Sequence, residues 1–261
     1  MLRPLLLALG LAAIAPTILV SSARADVAIS TCAATVPAGE TGILQNDLVD
    51  CNETMPAVFL HENATIDLAG HSISSGGSGV FCFGRRCTIV GPGEITGAEN
   101  AGISAASDEK ARVTVDGVDI HDNLGDGIAL PSSSKLFLSS TTITSNGADG
   151  VSAHKGRLKG ENVVISGNAG TGLRNVKKFT FKTSAIENNG SIGIVSSFGK
   201  GRLVSSTLSG NNADDPNGTL DIATLKKPRL VDSTCERSGI IPPSLTLPSP
   251  LDPGWGVCTN D

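Results

Sequence analysis

Hydrophobic positions recur along this chain at a spacing of about 22 residues. Four segments show the repeat most clearly: "DIHDNLGDGIAL" (119–130), "TITSNGADGVSA" (142–153), "VISGNAGTGLRN" (164–175) and "AIENNGSIGIVS" (185–196). In each, an Ile is followed by an Asn three positions later, by a Gly four positions after that, and then by an aliphatic residue. A fixed period of this length is typical of a repeat architecture.

Three hydrophobic columns run through the repeats. The first holds Ile73, Ile95, Ile120, Ile143, Ile165, Ile186 and Leu208, and the second holds Val80, Ile103, Ile128, Val151, Leu173 and Ile194. The third holds alternating pairs such as Val113/Val115 and Phe179/Phe181. Each unit therefore predicts three short strands and three turns, and the Leu-x-x-Leu-x-Leu spacing of a leucine-rich repeat is absent. We predict an all-β fold, a single-stranded parallel β-helix of about seven coils.

Two polar columns accompany the hydrophobic ones. Asn123, Asn146, Asn168, Asn189 and Asn211 each lie three positions after the first column. Asn tolerates the left-handed conformation of a sharp corner, and stacked amides can bond to one another as a ladder. The Gly column serves the next bend. Both columns are interpreted as structural.

The repeat resembles a known family. "ATIDLAGHSI" (64–73), the Ile-x-x-Asn…Gly-Ile word and "WGVC" (255–258) are similar to segments of bacterial secreted right-handed parallel β-helix repeat proteins. The resemblance implies the pectin-lyase-like superfold, which includes polysaccharide lyases, glycoside hydrolases, adhesins and proteins without an assigned activity. The catalytic segments of its pectate lyases and polygalacturonases are absent here, so the fold does not define the function.

The regions outside the repeat predict export and two caps. Residues 1–25 have an early Arg, an apolar run and an Ala-x-Ala ending, which favours a removed signal peptide over a membrane anchor. The predicted divisions are a signal peptide (1–25), an N-terminal cap (26–60), a right-handed parallel β-helix (61–231) and a Pro-rich C-terminal cap (232–261). We expect a secreted or periplasmic monomer with no membrane span after removal of the signal peptide.

The chain has six cysteines, all beyond residue 25. An even number in an exported protein indicates disulfides. Several pairings are open, and proximity in sequence favours disulfide-pinned ends with three local bridges: Cys32–Cys51, Cys82–Cys87 and Cys235–Cys258.

The cations are unevenly distributed. Removal of Arg3 and Arg24 leaves 18 Lys and Arg against 25 Asp and Glu, a net charge of −7, which argues against a nucleic-acid partner. Nevertheless 14 of these 18 cations follow the third strand of a coil. Stacked at about 4.8 Å per coil, they predict a basic ridge that could bind ligand through Lys135, Lys155, Arg157, Lys177, Lys178, Lys200 and Arg202.

Carboxylates in the central coils are the candidates for chemistry. Asp126 and Asp149 occupy equivalent positions in successive coils, so they could bind calcium as a cofactor or raise each other's pKa. Together with Asp122, His121, His154 and Arg174 they form the candidate catalytic set. Asp before Gly is also a common turn residue.

Two functions remain open. The first is an exported module that binds a polysaccharide, acidic in character, along the basic ridge, with no catalytic activity evident. The second is a polysaccharide lyase or glycoside hydrolase that uses the central carboxylates. Convergence of Asp122, Asp126 and Asp149 in one groove beside a base would favour the enzyme.

Overall fold

The computed structural model describes residues 26–106, 110–213, 220–241 and 254–261. The predicted signal peptide, residues 1–25, lies outside them. Within the described residues, no helix is long and apolar enough to cross a membrane.

The described chain is built of short β-strands joined by tight turns. In chain order these are β1 (Val27–Ile29), β2 (Ala34–Val36), β3 (Thr41–Leu44), β4 (Leu48–Cys51), β5 (Val58–Leu60), β6 (Ala64–Asp67), β7 (Ser72–Ser75), β8 (Ser78–Cys82), β9 (Arg86–Val90), β10 (Glu94–Thr96), β11 (Ala101–Ala105), β12 (Arg112–Asp116), β13 (Asp119–His121), β14 (Asp126–Leu130), β15 (Lys135–Ser139), β16 (Thr142–Thr144), β17 (Val151–Ala153), β18 (Arg157–Glu161), β19 (Val164–Ser166), β20 (Leu173–Arg174), β21 (Lys178–Lys182), β22 (Ala185–Glu187), β23 (Ile194–Ser196), β24 (Lys200–Val204), β25 (Thr207–Ser209), β26 (Ile222–Thr224), β27 (Arg229–Val231) and β28 (Ser238–Ile240).

The strands form three parallel sheets that wind into a solenoid. Sheet A has the order β1-β3-β6-β9-β12-β15-β18-β21-β24-β27, sheet B has β2-β5-β8-β11-β14-β17-β20-β23-β26-β28, and sheet C has β4-β7-β10-β13-β16-β19-β22-β25. From β2 to β24 each strand pairs with the strand three places later, so three strands make one coil. The eight strands of sheet C define about eight coils, and the parallel β-helix predicted from the sequence is confirmed.

The sheets extend beyond the predicted boundaries of the β-helix. Residues 26–60 contribute β1 to β5, and β28 lies after residue 231. These strands lack the repeated Asn and Gly, which explains why the sequence indicated about seven coils.

The predicted hydrophobic columns form the core. Ile95 pairs with Ile73 and Ile120 in sheet C, and Ile103 pairs with Val80 and Ile128 in sheet B. The side chains of both columns are at most 1% exposed. Because strand residues alternate between the two faces of a sheet, the residues between them point outward.

The Asn column forms the predicted ladder. Asn123 Nδ2 donates to Asn146 Oδ1 at 2.8 Å, and Asn146 Nδ2 donates to Asn168 Oδ1 at 2.8 Å. The expectation that Asn itself is left-handed was wrong: the preceding residue takes the positive φ, for example Asp122 (51°) and Ser145 (54°). The Asn side chain must turn inward to meet its neighbours, and the residue before it makes the corner.

The Gly column allows close approach between coils. A Cβ atom on Gly127 would lie 2.7 Å from the carbonyl oxygen of Gly150 and 2.9 Å from Asn146 Nδ2. Any larger residue would therefore push adjacent coils apart or disrupt the ladder.

Two of the three predicted disulfides form. Cys32–Cys51 and Cys235–Cys258 are bridged near the two ends. The third prediction was wrong for this structure, since Cys82 and Cys87 are free and buried. Both pack with the apolar core, where a free thiol behaves as a small hydrophobic group, and burial raises the pKa of Cys82.

Candidate functional site

The cations of the predicted ridge fall largely into one register column on sheet A. Arg112 pairs with Arg86 and Lys135, Arg157 pairs with Lys135 and Lys178, and Lys178 pairs with Lys200. We call these six residues the cation column: Arg86, Arg112, Lys135, Arg157, Lys178 and Lys200. Its five steps of about 4.8 Å give a length of roughly 24 Å.

All six side chains of the cation column are exposed. In the described part of the chain, none of them forms an ion pair with a carboxylate. Like charges directly opposite each other on neighbouring strands destabilise a sheet. The column therefore concentrates positive charge that no carboxylate of the described residues neutralises through an ion pair.

The other predicted ridge residues lie around the column. Arg202 projects from β24, two residues after Lys200, whereas Lys155 and Lys177 lie in turns that precede sheet A. Lys155 is left-handed, and its Nζ lies 5.3 Å from the ring centroid of Phe198. The structure thus separates one ordered column from cations of the neighbouring turns.

Three candidate catalytic residues, Asp126, Asp149 and Arg174, lie close together on sheet B or just before its strands. Each of the two carboxylates already accepts a hydrogen bond. Asp126 Oδ1 accepts a hydrogen bond from the backbone N of Asp149 at 2.9 Å, and Asp149 Oδ1 accepts one from Thr171 N at 2.8 Å. Arg174 Nη1 lies 3.2 Å from Asp149 Oδ2. Burial raises the pKa of Asp126, while the hydrogen bond from Asp149 N and the charge of Arg174 oppose that rise. These contacts join successive coils.

The remaining candidates lie elsewhere. His121 Nδ1 is 2.8 Å from Asp122 Oδ2, at the end of β13. His154 follows β17 and contacts the ring of Phe198 at a centroid distance of 5.1 Å. No side-chain hydrogen bond or ion pair between described residues joins His121, Asp122 or His154 to the Asp126–Asp149 pair.

A second polar group lies beside sheet C, and the sequence did not indicate most of it. A depression of about 380 Å³ is lined by Asp47, Gly70, His71, Ser72, Pro92, Gly93, Glu94 and Asp119. The hydrogen bond from Ser72 N lowers the pKa of Asp47, and the interaction with His71 lowers it further. Desolvation opposes this shift only in part. His121 Nε2 lies 3.6 Å from Glu94 Oε2. Ser72, Glu94 and Asp119 are register partners in sheet C, but their residue types differ from coil to coil, so no column of like residues revealed them in the sequence.

Metal binding has no ready-made site in the described regions. They contain no group of three or more His, Cys, Asp or Glu side chains arranged to hold a metal ion. Calcium at Asp126 and Asp149 stays a prediction. The Arg174 guanidinium beside Asp149 would have to be displaced or would repel the ion.

Comparison with known proteins agrees with this architecture. Residues 101–219 match a family model described as "Right handed beta helix region". Among solved structures, the chain resembles full-length tailspike protein 2 from the Escherichia coli O157:H7 bacteriophage CAB120, with a TM-score of 0.52 and 12% sequence identity. The alignment covers 84% of this chain and 34% of that one, so this chain spans about a third of the tailspike's length. Comparison with curated proteins gives no match.

These findings define the class of protein. The chain folds as a parallel β-helix whose central coils match the right-handed β-helix family model, and the resemblance to the tailspike, at this low identity, shows the fold alone. The two disulfides are of the kind that persists in oxidising compartments.

Proposed function

We propose that this protein is exported and binds an acidic polysaccharide along the cation column, without catalysing its cleavage. The observation that carries the proposal is the register of six exposed cations that no described carboxylate pairs with. A chain of anionic groups laid along the solenoid axis would relieve the repulsion between neighbouring cations. Each guanidinium or ammonium could form a charge-assisted hydrogen bond with a carboxylate of the ligand.

A solubilising role for these cations explains the register less well. Charged residues in exposed turns keep a protein soluble, but solubility does not require five consecutive pairs of like charges within the strands of one sheet. The cations also oppose the overall charge of the protein, which is −5 for the full sequence. Such a local field raises the rate at which an oppositely charged ligand associates, and salt weakens it.

The test compares two double variants that remove the same charge. Arg157→Ser/Lys178→Ser takes two adjacent cations from the middle of the column, whereas Lys226→Ser/Lys227→Ser takes two from a turn near the last coils. Titration calorimetry with polygalacturonate should show affinity that falls with added NaCl. We expect the column variant to bind about tenfold more weakly and the control to change less than twofold. Equal losses in both variants would reduce the effect to net charge, and absence of binding by the wild type would refute the proposal.

A catalytic alternative rests on one arrangement beside sheet C. His121 lies between the carboxylates of Glu94 and Asp122, next to the depression that contains Asp119. A histidine held by carboxylates could serve as a base in a lyase or hydrolase. Incubation with polygalacturonate, followed by assays for unsaturated products and reducing ends, tests this alternative. Activity that disappears in His121→Ala would establish an enzyme in place of a binding module.

A further inference from the structure

A depression lies on the outer face of sheet A, beside the middle of the cation column. Its volume is about 380 Å³, and it is lined by Phe137, Leu138, Ser139, Lys159, Gly160, Glu161, Thr180 and Lys182. Phe137 and Lys159 follow Lys135 and Arg157 of the column by two residues, so they project from the same face. A polymer lying on the column would therefore also contact this depression.

Phe137 is an unusual residue for this position. In the described strands of sheet A it is the only aromatic side chain that points outward, because Phe179 and Phe181 are buried in the core. Its ring centroid lies 5.0 Å from Arg112 Cζ and 5.9 Å from Lys159 Nζ. These cation–π contacts hold one cation of the column and one of the depression beside an apolar ring.

Along two of the strands on this face, β12 and β18, the charge changes from positive to negative. Strands β12, β15 and β18 begin with Arg112, Lys135 and Arg157, and they end with Asp116, Ser139 and Glu161. The residues at the strand ends are register partners: Ser139 pairs with both Asp116 and Glu161. A ligand across the depression thus meets cations at one edge, and at the other edge the Ser139 hydroxyl and the Glu161 carboxylate with Lys182 beside it.

Glu161 is available to a ligand. Its only ion-pair partner in the described chain is Lys182, at 4.0 Å, and the two side chains are 62% and 54% exposed. A pair so long and so exposed contributes little, and either partner can turn to another group. An ionised carboxylate accepts hydrogen bonds but cannot donate them.

We infer that this depression is a subsite for a uronic-acid ring, the unit that sets the specificity of the proposed polysaccharide binding. The sugar's carboxylate meets Lys159 and the cation column, and its hydroxyl groups donate to Glu161 and bond with Ser139 and Thr180. The apolar C–H face of the ring lies against Phe137 where the cations leave it uncovered. The inference rests on the proposed function and adds the class of sugar to it.

The same arrangement disfavours polyanions that have no hydroxyl groups. Inorganic polyphosphate presents acceptor oxygens and negative charge on every side, so it would satisfy the cation column but meet repulsion at Glu161. Specificity therefore comes from the carboxylate edge, while the cations supply attraction to any polyanion.

The decisive experiment measures how Glu161→Gln changes the affinity for two probes. The probes are polygalacturonate and inorganic polyphosphate of similar chain charge, titrated into the folded protein at one ionic strength. The substitution removes a negative charge from the face, so polyphosphate should bind about threefold more tightly. Polygalacturonate should bind about threefold more weakly, because a neutral amide oxygen is a poorer acceptor for hydroxyl groups than the carboxylate it replaces. Glu187→Gln, on sheet C, makes the same charge change away from the depression and should leave the ratio of the two affinities unchanged.

Phe137→Leu gives a second measurement that does not involve charge. With an unchanged melting temperature, this variant should lose about fivefold in affinity for polygalacturonate and less than twofold for polyphosphate. Tighter binding of both probes by Glu161→Gln, or equal losses for both probes in Phe137→Leu, would overturn the subsite while leaving binding along the column intact. Failure of the wild type to bind either probe would instead refute the proposed function.

Discussion

Asn211 Nδ2 donates a hydrogen bond to Asp221 Oδ1 at 2.7 Å, so the amide ladder ends on a carboxylate. In the preceding steps the acceptor is the Oδ1 of another Asn, at 2.8–2.9 Å. The other oxygen of Asp221 accepts a hydrogen bond from Glu236 N at 2.6 Å. Asp221 is fully buried, and burial raises its pKa although these hydrogen bonds oppose the rise. This carboxylate ties the last ladder residue to the chain that follows it.

Replacement of Asp221 should therefore weaken the C-terminal coils. Asp221→Ala removes the acceptor of two donors, the buried Asn211 Nδ2 and the partly buried Glu236 N. A buried donor without an acceptor costs about 1–3 kcal/mol. We expect the free energy of unfolding to fall by about 2–5 kcal/mol in urea denaturation. Asp119→Ala, at an exposed position in β13, should change it by less than about 0.5 kcal/mol. A similar small change in both variants would show that the ladder does not need its terminal acceptor.

Ile143 tests the buried column. Ile143→Asp places an unpaired carboxylate between Ile120 and Ile165, and we expect a loss of more than about 4 kcal/mol, enough to prevent folding. Thr144→Asp, the next residue on the outer face, should still give a folded protein. Circular dichroism and the yield of soluble protein distinguish the two. A folded Ile143→Asp variant would contradict the burial of this column.

The two free cysteines predict a pattern of thiol reactivity. Cys82 and Cys87 are buried, so a thiol reagent should label neither in the native protein at neutral pH. After denaturation without a reductant it should label two thiols per chain, because the other four cysteines are bridged. Labelling followed by mass spectrometry counts them. No labelled thiol in the denatured chain would mean that Cys82 and Cys87 form a third disulfide.

Asp261 predicts how stability depends on pH. Desolvation alone would raise its pKa, but hydrogen bonds from the Ser238 side chain and from the backbone N–H groups of Cys258, Ser238 and Val257 lower it below the ordinary value of 3.8. The ionised carboxylate therefore stabilises the folded state above about that pH, and this contribution is lost as the pH falls through the lowered pKa.

The corresponding measurement is the melting temperature between neutral pH and about pH 2.5. Wild type should lose stability at the acid end, and Asp261→Asn should start lower at neutral pH and lose less on acidification. Asp26→Asn provides a control at the other end of the described chain. Parallel curves for wild type and Asp261→Asn would rule out this carboxylate as a pH-dependent contact.

The sequence by itself was sufficient to predict the repeat and the β-helix that it forms. The fold could be predicted because every coil has the same packing requirements. Ile143 and Ile165 must face the core, and Asn146 and Asn168 must bond to neighbouring amides. Gly150 must leave room for the adjacent coil. Each requirement recurs at one position per coil, so it is visible as a column. The cations were visible for the same reason, since Lys135 and Arg157 occupy equivalent positions.

Only the tertiary structure decided what happens where the period fails. It showed that β1 to β5 continue the sheets without the repeated residues, that Cys82 and Cys87 are free, and that Asp221 takes the place of an Asn. It also engaged Asp126 and Asp149 in hydrogen bonds between coils, and it brought His71, Glu94 and Asp119 to one depression. These contacts join residues in different coils, and they depend on side-chain direction and on the residue type at each position, which the spacing of the repeat does not encode.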